Sequence, residues 1–232
     1  PSGAIDLDAR PRSLTIAVGA IILALGFQPY DPSGLEEFGY GRYPNVLHAL
    51  QYERLASRSG PTEGAVTRPS DHQPPRSIAW LQCIGSRDQN NAFCSSICCM
   101  YATKEAMLAK QRLGDDIECC MFIMDERAFN KEYSTYFAKA RDRYGIRYVR
   151  CRVSAIHEDP SNHNLVLQYA APDGQMRQEP FDMVVLAVGL QPPDSARQLA
   201  ELLNIQLNSH GFCETDKFTP LQTTRPGVFV CG

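Results

Sequence analysis

Residues Gln82 to Ala106 read "QCIGSRDQNNAFCSSICCMYATKEA", and how this stretch is read decides the fold. On its N-terminal side lies "SIAWLQCIG" (Ser77 to Gly85), an apolar run short enough to be a buried strand. On its C-terminal side "SSICCMYATKEAMLAKQRLG" (Ser95 to Gly114) reads as a helix closed by glycine. A second strand follows in "DIECCMFIMDE" (Asp116 to Glu126), then a second helix in "NKEYSTYFAKARDRYG" (Asn130 to Gly145). "IRYVRCRVSAIHED" (Ile146 to Asp159) reads as a third strand, and Asn164 to Asp182 as a hairpin around Asp173-Gly174. Strands alternating with helices predict an α/β fold with a Rossmann-like, doubly wound parallel sheet.

Working outward, "VGAIILALGFQP" (Val18 to Pro29) reads as a buried strand ending at Gly26. "FDMVVLAVGLQPPD" (Phe181 to Asp194) repeats the design with Gly189, and "RPGVFVCG" (Arg225 to Gly232) is a third apolar run ending in glycine. Closing glycines let a ligand approach the backbone. Residues 30 to 75 read as irregular, apart from one helix over Asn45 to Ala56 with Asn45 as its N-cap. Ser57 to Arg76 is an exposed Pro/Gly/Ser-rich connector, and Asp194 to Leu207 a last helix.

The chain has 232 residues, 44% hydrophobic and 21% charged, enough to bury a sizeable core. A net charge of −3 without a basic stripe excludes a nucleic-acid footprint. The apolar run Leu14 to Phe27 is shorter than the roughly 20 residues a membrane span needs, so no membrane insertion is expected. Arg10 and Arg12 precede it as in a signal peptide, but Gly19 and Gly26 read better as a strand and its turn. The start at Pro1 and the stop at "GVFVCG" suggest a piece of a longer protein. Nine clustered cysteines point to metal or redox chemistry in a reducing cytoplasm rather than to disulfide staples.

In a dinucleotide-binding unit the first strand would lead into G-x-G-x-x-G. Here the turn reads "CIGSRD" with Gly85 alone, although Asp125-Glu126 ends the second strand where a ribose-binding carboxylate would sit. The turn offers sulfur instead, spaced Cys83-x10-Cys94-x3-Cys98-Cys99. Cys94 and Cys98 are one helical turn apart, Cys99 points about a quarter-turn away, and Cys83 arrives from the strand end. A helix N-terminus stabilises an anion through its amides and dipole, and Arg87 and Lys104 would add positive charge. Zinc favours C-x2-4-C knuckles, bacterial ferredoxin clusters a C-x2-C-x2-C-x3-C run, and dithiol enzymes C-x-x-C. The ferredoxin run and C-x-x-C do not occur here, and Cys94 with Cys98-Cys99 gives a knuckle spacing without a second one, so spacing alone leaves the metal open. Cys119, Cys120, Cys151 and Cys213 read as packing residues, and the five histidines as surface or loop residues.

Taken together, "QCIGSRD", "FCSSICCMYATKEA", "MDERAF", "VVLAVGLQP" and "PGVFVCG" resemble the A-subunit family of heterodisulfide reductases, which are flavin and iron–sulfur proteins. The resemblance implies a thioredoxin-reductase-like core, in which an FAD domain is interrupted by a second Rossmann-like domain. It divides the chain into a partial FAD-domain segment and connector (1–75), a Rossmann-like domain carrying the cysteines (76–190), and a return segment (191–232). It implies that Cys83, Cys94, Cys98 and Cys99 ligate a [4Fe-4S] cluster. It also implies that Gly26, Gly189 and Gly232 close flavin-domain strands, with FAD belonging to the complete protein. The expected role is electron transfer between FAD and the cluster, with other subunits of a redox complex and ferredoxin-like carriers as partners. The family's N-terminal G-x-G-x-x-G is absent, and Ala24-Leu25-Gly26 replaces its Ala-Thr-Gly. Two other readings stand beside this one: an FAD/NAD(P)-dependent disulfide reductase domain without a cluster, and a non-catalytic Rossmann-like docking module.

Overall fold

The computed structural model describes residues 5–127, 129 and 131–231. The chain separates into two compact units, one made of residues 29–191 and the other of 1–28 with 192–232. Residues 29–75 therefore group with the Rossmann-like segment rather than with the N-terminal segment. Numbered along the chain, β1 is Ile21–Leu23 and β2 is Gln28–Pro29. Next come β3 (Val46–His48), α1 (Ala49–Ala56), β4 (Ser77–Ile84), α2 (Cys98–Leu113), β5 (Glu118–Ile123), α3 (Tyr133–Asp142) and β6 (Arg147–Arg150). The remaining elements are β7 (Val153–Glu158), β8 (Leu165–Ala170), β9 (Met176–Phe181), β10 (Met183–Val188), β11 (Leu190–Gln191), α4 (Ser195–Leu203) and β12 (Val228–Val230).

The larger unit is built on a five-stranded parallel sheet in the order β3-β10-β4-β5-β6. Its central strands are apolar on both faces because both faces are covered. Ile78, Trp80, Cys119, Met121, Met183 and Val185 point into one layer, where they meet Ala102, Ala106 and Ala109 of α2. The alanines recur at helical spacing and let α2 lie close to the sheet. The alternate residues Ala79, Leu81, Cys120, Phe122, Val184 and Leu186 face Leu165, Leu167, Tyr169 and Phe181 of the antiparallel meander β7-β8-β9. The α/β architecture and parallel sheet expected from the alternating pattern are thus present.

Several local expectations are corrected. The helix expected from Asn45 starts only at Ala49, because Val46–His48 pair with β10 and join the sheet as an edge strand. Asn45 is not an N-cap. It is fully buried, donates to Ser70 Oγ and the His163 carbonyl at 3.0 Å each, and accepts from the Ser70 amide at 3.1 Å. The single strand expected over Ile146–Asp159 breaks at Cys151-Arg152, and its halves enter different sheets. Asn130, where the second helix was expected to begin, lies outside the described residues. Cys151 is half-buried at that break, while Cys119 and Cys120 are core residues as expected.

In the smaller unit, β1 pairs in parallel with β12, and Leu23, Ala200, Ile205 and Val228 form its core. The expected buried strand over Val18–Pro29 shrinks to β1 and the two residues of β2. Leu14, Ile16, Val18 and Ile22 are exposed, since a two-stranded ladder cannot cover both faces of its strands. The helix expected over Asp194–Leu207 ends at Leu203, where Asn204 adopts the left-handed conformation.

Candidate metal centre

β4 does not run straight into the turn. It matches β10 up to Leu81 opposite Leu186, and again at Ile84 opposite Val188. Two residues, Gln82 and Cys83, therefore stand where β10 has only Ala187. This is a bulge, and it re-aims the strand end. Cys83 takes the left-handed conformation there, with φ +62°, which costs a non-glycine residue roughly 1–2 kcal/mol. Gly85 follows at φ +66°, where a Cβ would lie 2.2 Å from the Tyr30 ring.

The turn is then stitched together. Ser86 Oγ donates to the Phe93 carbonyl at 3.1 Å, and the Arg87 amide donates to the same oxygen at 3.0 Å. Ser95 Oγ accepts the Leu190 amide at 2.8 Å. Gly189 is pressed against this turn: a Cβ on it would meet the Gly85 carbonyl at 3.0 Å and Ser95 Oγ at 3.1 Å. What lies against Gly189 is the chain's own turn. Gly26, also at positive φ, belongs to the smaller unit, and Gly232 lies outside the described residues.

α2 starts at Cys98, three residues later than expected, because Ser96 turns left-handed at φ +65°. Its N-cap, Ile97, supplies no side-chain cap, and Cys98 and Cys99 form its first two positions. Cys83, Cys98 and Cys99 are buried and Cys94 is half-buried. Were they ionised, Cys83 would repel Cys94, and both would repel Cys98 and Cys99, so the four sulfurs lie within electrostatic reach of one another. Among the described residues, no three or more His, Cys, Asp and Glu side chains are arranged to hold a single metal ion. The thiols gather at one turn without closing as tightly as a tetrahedral zinc site requires.

The surroundings suit an anionic, sulfur-bound group broader than one ion. The Ser96 amide donates to Cys94 Sγ at 3.4 Å, while the Arg127 backbone favours the ionised form of Cys99 and the Arg87 guanidinium that of Cys83. Four thiols beside an uncapped helix N-terminus, one met by an amide and one faced by Arg87, are a donor set of the kind an iron–sulfur cluster takes. Arg87 supplies the positive charge expected of it, and it also grips Asp125. Lys104 does not, being paired with Glu53 of α1. Asp125 is further held by Arg127 at 3.2 Å, so this carboxylate at the end of β5 is engaged by two arginines and not presented for a ribose.

Burial pushes Cys98 from 9.0 up to about 12 and Cys99 to about 11. Burial also raises Cys83, with Arg87 pulling against it. All nine cysteines are free. A thiolate nucleophile for disulfide exchange needs the opposite shift. Beyond the strand ends lies a cavity of about 540 Å³, bordered by Gln82, Cys83, Arg87, Phe122 and Arg152 among others. The sequence reading overlooked Gln82, Tyr101 and Ser95. Gln82 had a signal: it is the lone hydrogen-bonding amide in the run Ile78–Ile84.

Residues 102–232 match the family described as "Pyridine nucleotide-disulphide oxidoreductase". The iron-sulfur A-subunit of a CoB-CoM heterodisulfide reductase of Methanopyrus kandleri is 42% identical over 99% of this chain and 36% of its own length. The A-subunit of the H(2):CoB-CoM heterodisulfide,ferredoxin reductase of Methanothermobacter thermautotrophicus is 38% identical over 99% of this chain and 35% of its own. The chain thus spans about a third of the length of the curated relatives it matches. Among solved structures, a thioredoxin reductase from Gloeobacter violaceus is similar at 15% identity and TM-score 0.43, over 92% of this chain and 53% of that one.

Proposed function

The chain belongs to the pyridine nucleotide-disulphide oxidoreductase family, and on that premise we propose that it is the electron-transfer segment of a heterodisulfide-reductase-like flavin and iron–sulfur oxidoreductase. Cys83, Cys94, Cys98 and Cys99 are the proposed ligands of a [4Fe-4S] cluster. When bound, such a cluster accepts and releases one electron at a time, at a potential set by charge and hydrogen bonds around its sulfurs. The observation that carries this reading is the gathering of four thiols at one bulged strand end and one uncapped helix start.

The chain's own residues divide the work. The bulge re-aims the strand end at Cys83, which lies within electrostatic reach of Cys98 and Cys99. The Ser96 amide meets Cys94 Sγ, and the Arg127 backbone and Arg87 guanidinium favour negative charge on Cys99 and Cys83. Such ligands bind as thiolates, so loading releases protons and is favoured by higher pH. Gly26, Gly189 and Gly232 are proposed strand ends of the flavin domain, and FAD a cofactor of the complete protein. Other redox subunits and a ferredoxin-like carrier are the proposed partners, by analogy with the names of the relatives. The proposed compartment is a reducing cytoplasm. Among the described residues, no helix is long and apolar enough to cross a membrane. A nicotinamide at this turn is disfavoured, because the phosphate-binding glycines are replaced and Asp125 is already engaged.

Anaerobic reconstitution with iron and sulfide tests the reading. It should give broad visible absorbance and a paramagnetic signal on reduction. Failure to take up any iron would reject the cluster.

A further inference from the structure

Gln82 is 8% exposed, yet neither its Oε1 nor its Nε2 has a hydrogen-bond partner. A buried polar group left unpaired costs about 1–3 kcal/mol. The arrangement calls for a partner that the chain does not itself supply.

The bulge says where that partner lies. Gln82 and Cys83 together oppose Ala187. Ala187 belongs to the layer that packs against α2, as does Cys98, whereas its neighbours Leu186 and Val188 belong to the opposite layer. Gln82 has the same parity along β4 as Ile78 and Trp80, which face α2. The orphaned amide is thus buried on the helical face at the end of β4, beside the turn where the four thiols gather. A sulfide or thiolate accepts hydrogen bonds and donates none, so the amide nitrogen, with two N–H donors, is the end that suits it.

We propose that Gln82 donates a hydrogen bond from Nε2 to a sulfur of the group held by Cys83, Cys94, Cys98 and Cys99, and so raises its reduction potential. This inference rests on the ligand assignment proposed above. Donors to cluster sulfurs stabilise the more negative, reduced form.

The test uses the full-length protein, reconstituted anaerobically with iron and sulfide, and follows the reduced-state signal that Cys98→Ala removes. In Gln82→Met that signal should persist, with the reduced form disfavoured about tenfold, a downward shift of ~59 mV for a one-electron couple. A loaded Gln82→Met with an unchanged potential would overturn the role of Gln82 and leave the ligand assignment standing. A wild type with no signal that depends on Cys98 would overturn both. Should Gln82→Met fail to load, the wild type still decides. Pulsed magnetic resonance on protein labelled with nitrogen-15 in glutamine side chains should detect coupling between an amide nitrogen and the reduced group. No such coupling would mean that the amide meets another partner, such as a molecule in the adjoining cavity, and would overturn the inference.

Discussion

The Tyr101 hydroxyl donates to the Val188 carbonyl oxygen at 2.7 Å, tying the first turn of α2 to the last residue of β10. Cys98 Sγ donates to the same oxygen at 3.5 Å, so two donors at the helix start share one acceptor at the strand end. Replacing Tyr101 by Phe keeps the ring and removes the stronger donor. The expected loss is about 1–2 kcal/mol in denaturant unfolding, and an unchanged midpoint would contradict this role.

Glu105 makes a prediction in pH. It is 1% exposed, accepts from Trp80 Nε1 at 3.0 Å through Oε2, and leaves Oε1 unpaired. Burial pushes its acid well above the ordinary 4.5, with the Trp80 bond pulling the other way. The folded state therefore holds the proton more tightly than the unfolded state does. That stabilisation is complete below the unfolded pKa and is lost as pH rises toward the folded value. Over this window stability should fall by up to about 1.4 kcal/mol per pH unit. Glu105→Gln keeps an acceptor for Trp80 and cannot ionise. Urea unfolding from pH 4.5 upward should give a flatter profile for the variant and at least equal stability at neutral pH. Identical slopes would refute the buried-acid assignment.

Gly85 is required by space as well as by its φ. An alanine there would drive Cβ to 2.2 Å from the Tyr30 ring. Left-handed strain and overpacking together predict a loss of more than about 2 kcal/mol. Adding Tyr30→Ala should recover part of it, because the two positions touch. Additive effects in a double-mutant cycle would show that the contact does not matter.

Long-range pairing explains what the sequence revealed and what it hid. The βαβ succession from Ser77 onward was legible because apolar runs of strand length alternate with helical patterns closed by glycine. The hairpin around Asp173-Gly174 was legible from its turn residues and forms as β8 and β9. Val46–His48 read as the start of a helix because no local signal says that β10 will pair with them. The break at Cys151-Arg152 was hidden for the same reason, since one apolar run feeds two sheets. At the candidate site the four cysteines stood out by crowding alone. The bulge that presents Cys83 beside Gln82 could not be read, because it exists only as a mismatch in register between β4 and β10.

The central claim is that four particular thiols, and not the other buried cysteines, hold the cluster. The most direct measurement is the iron content of the full-length protein, reconstituted anaerobically with single cysteine replacements. Cys83→Ala, Cys94→Ala, Cys98→Ala and Cys99→Ala should each remove about four irons per chain, together with one reduced-state signal, while Cys119→Ala should remove none. Equal iron in all five variants, or an equal loss from Cys119→Ala, would contradict the assignment.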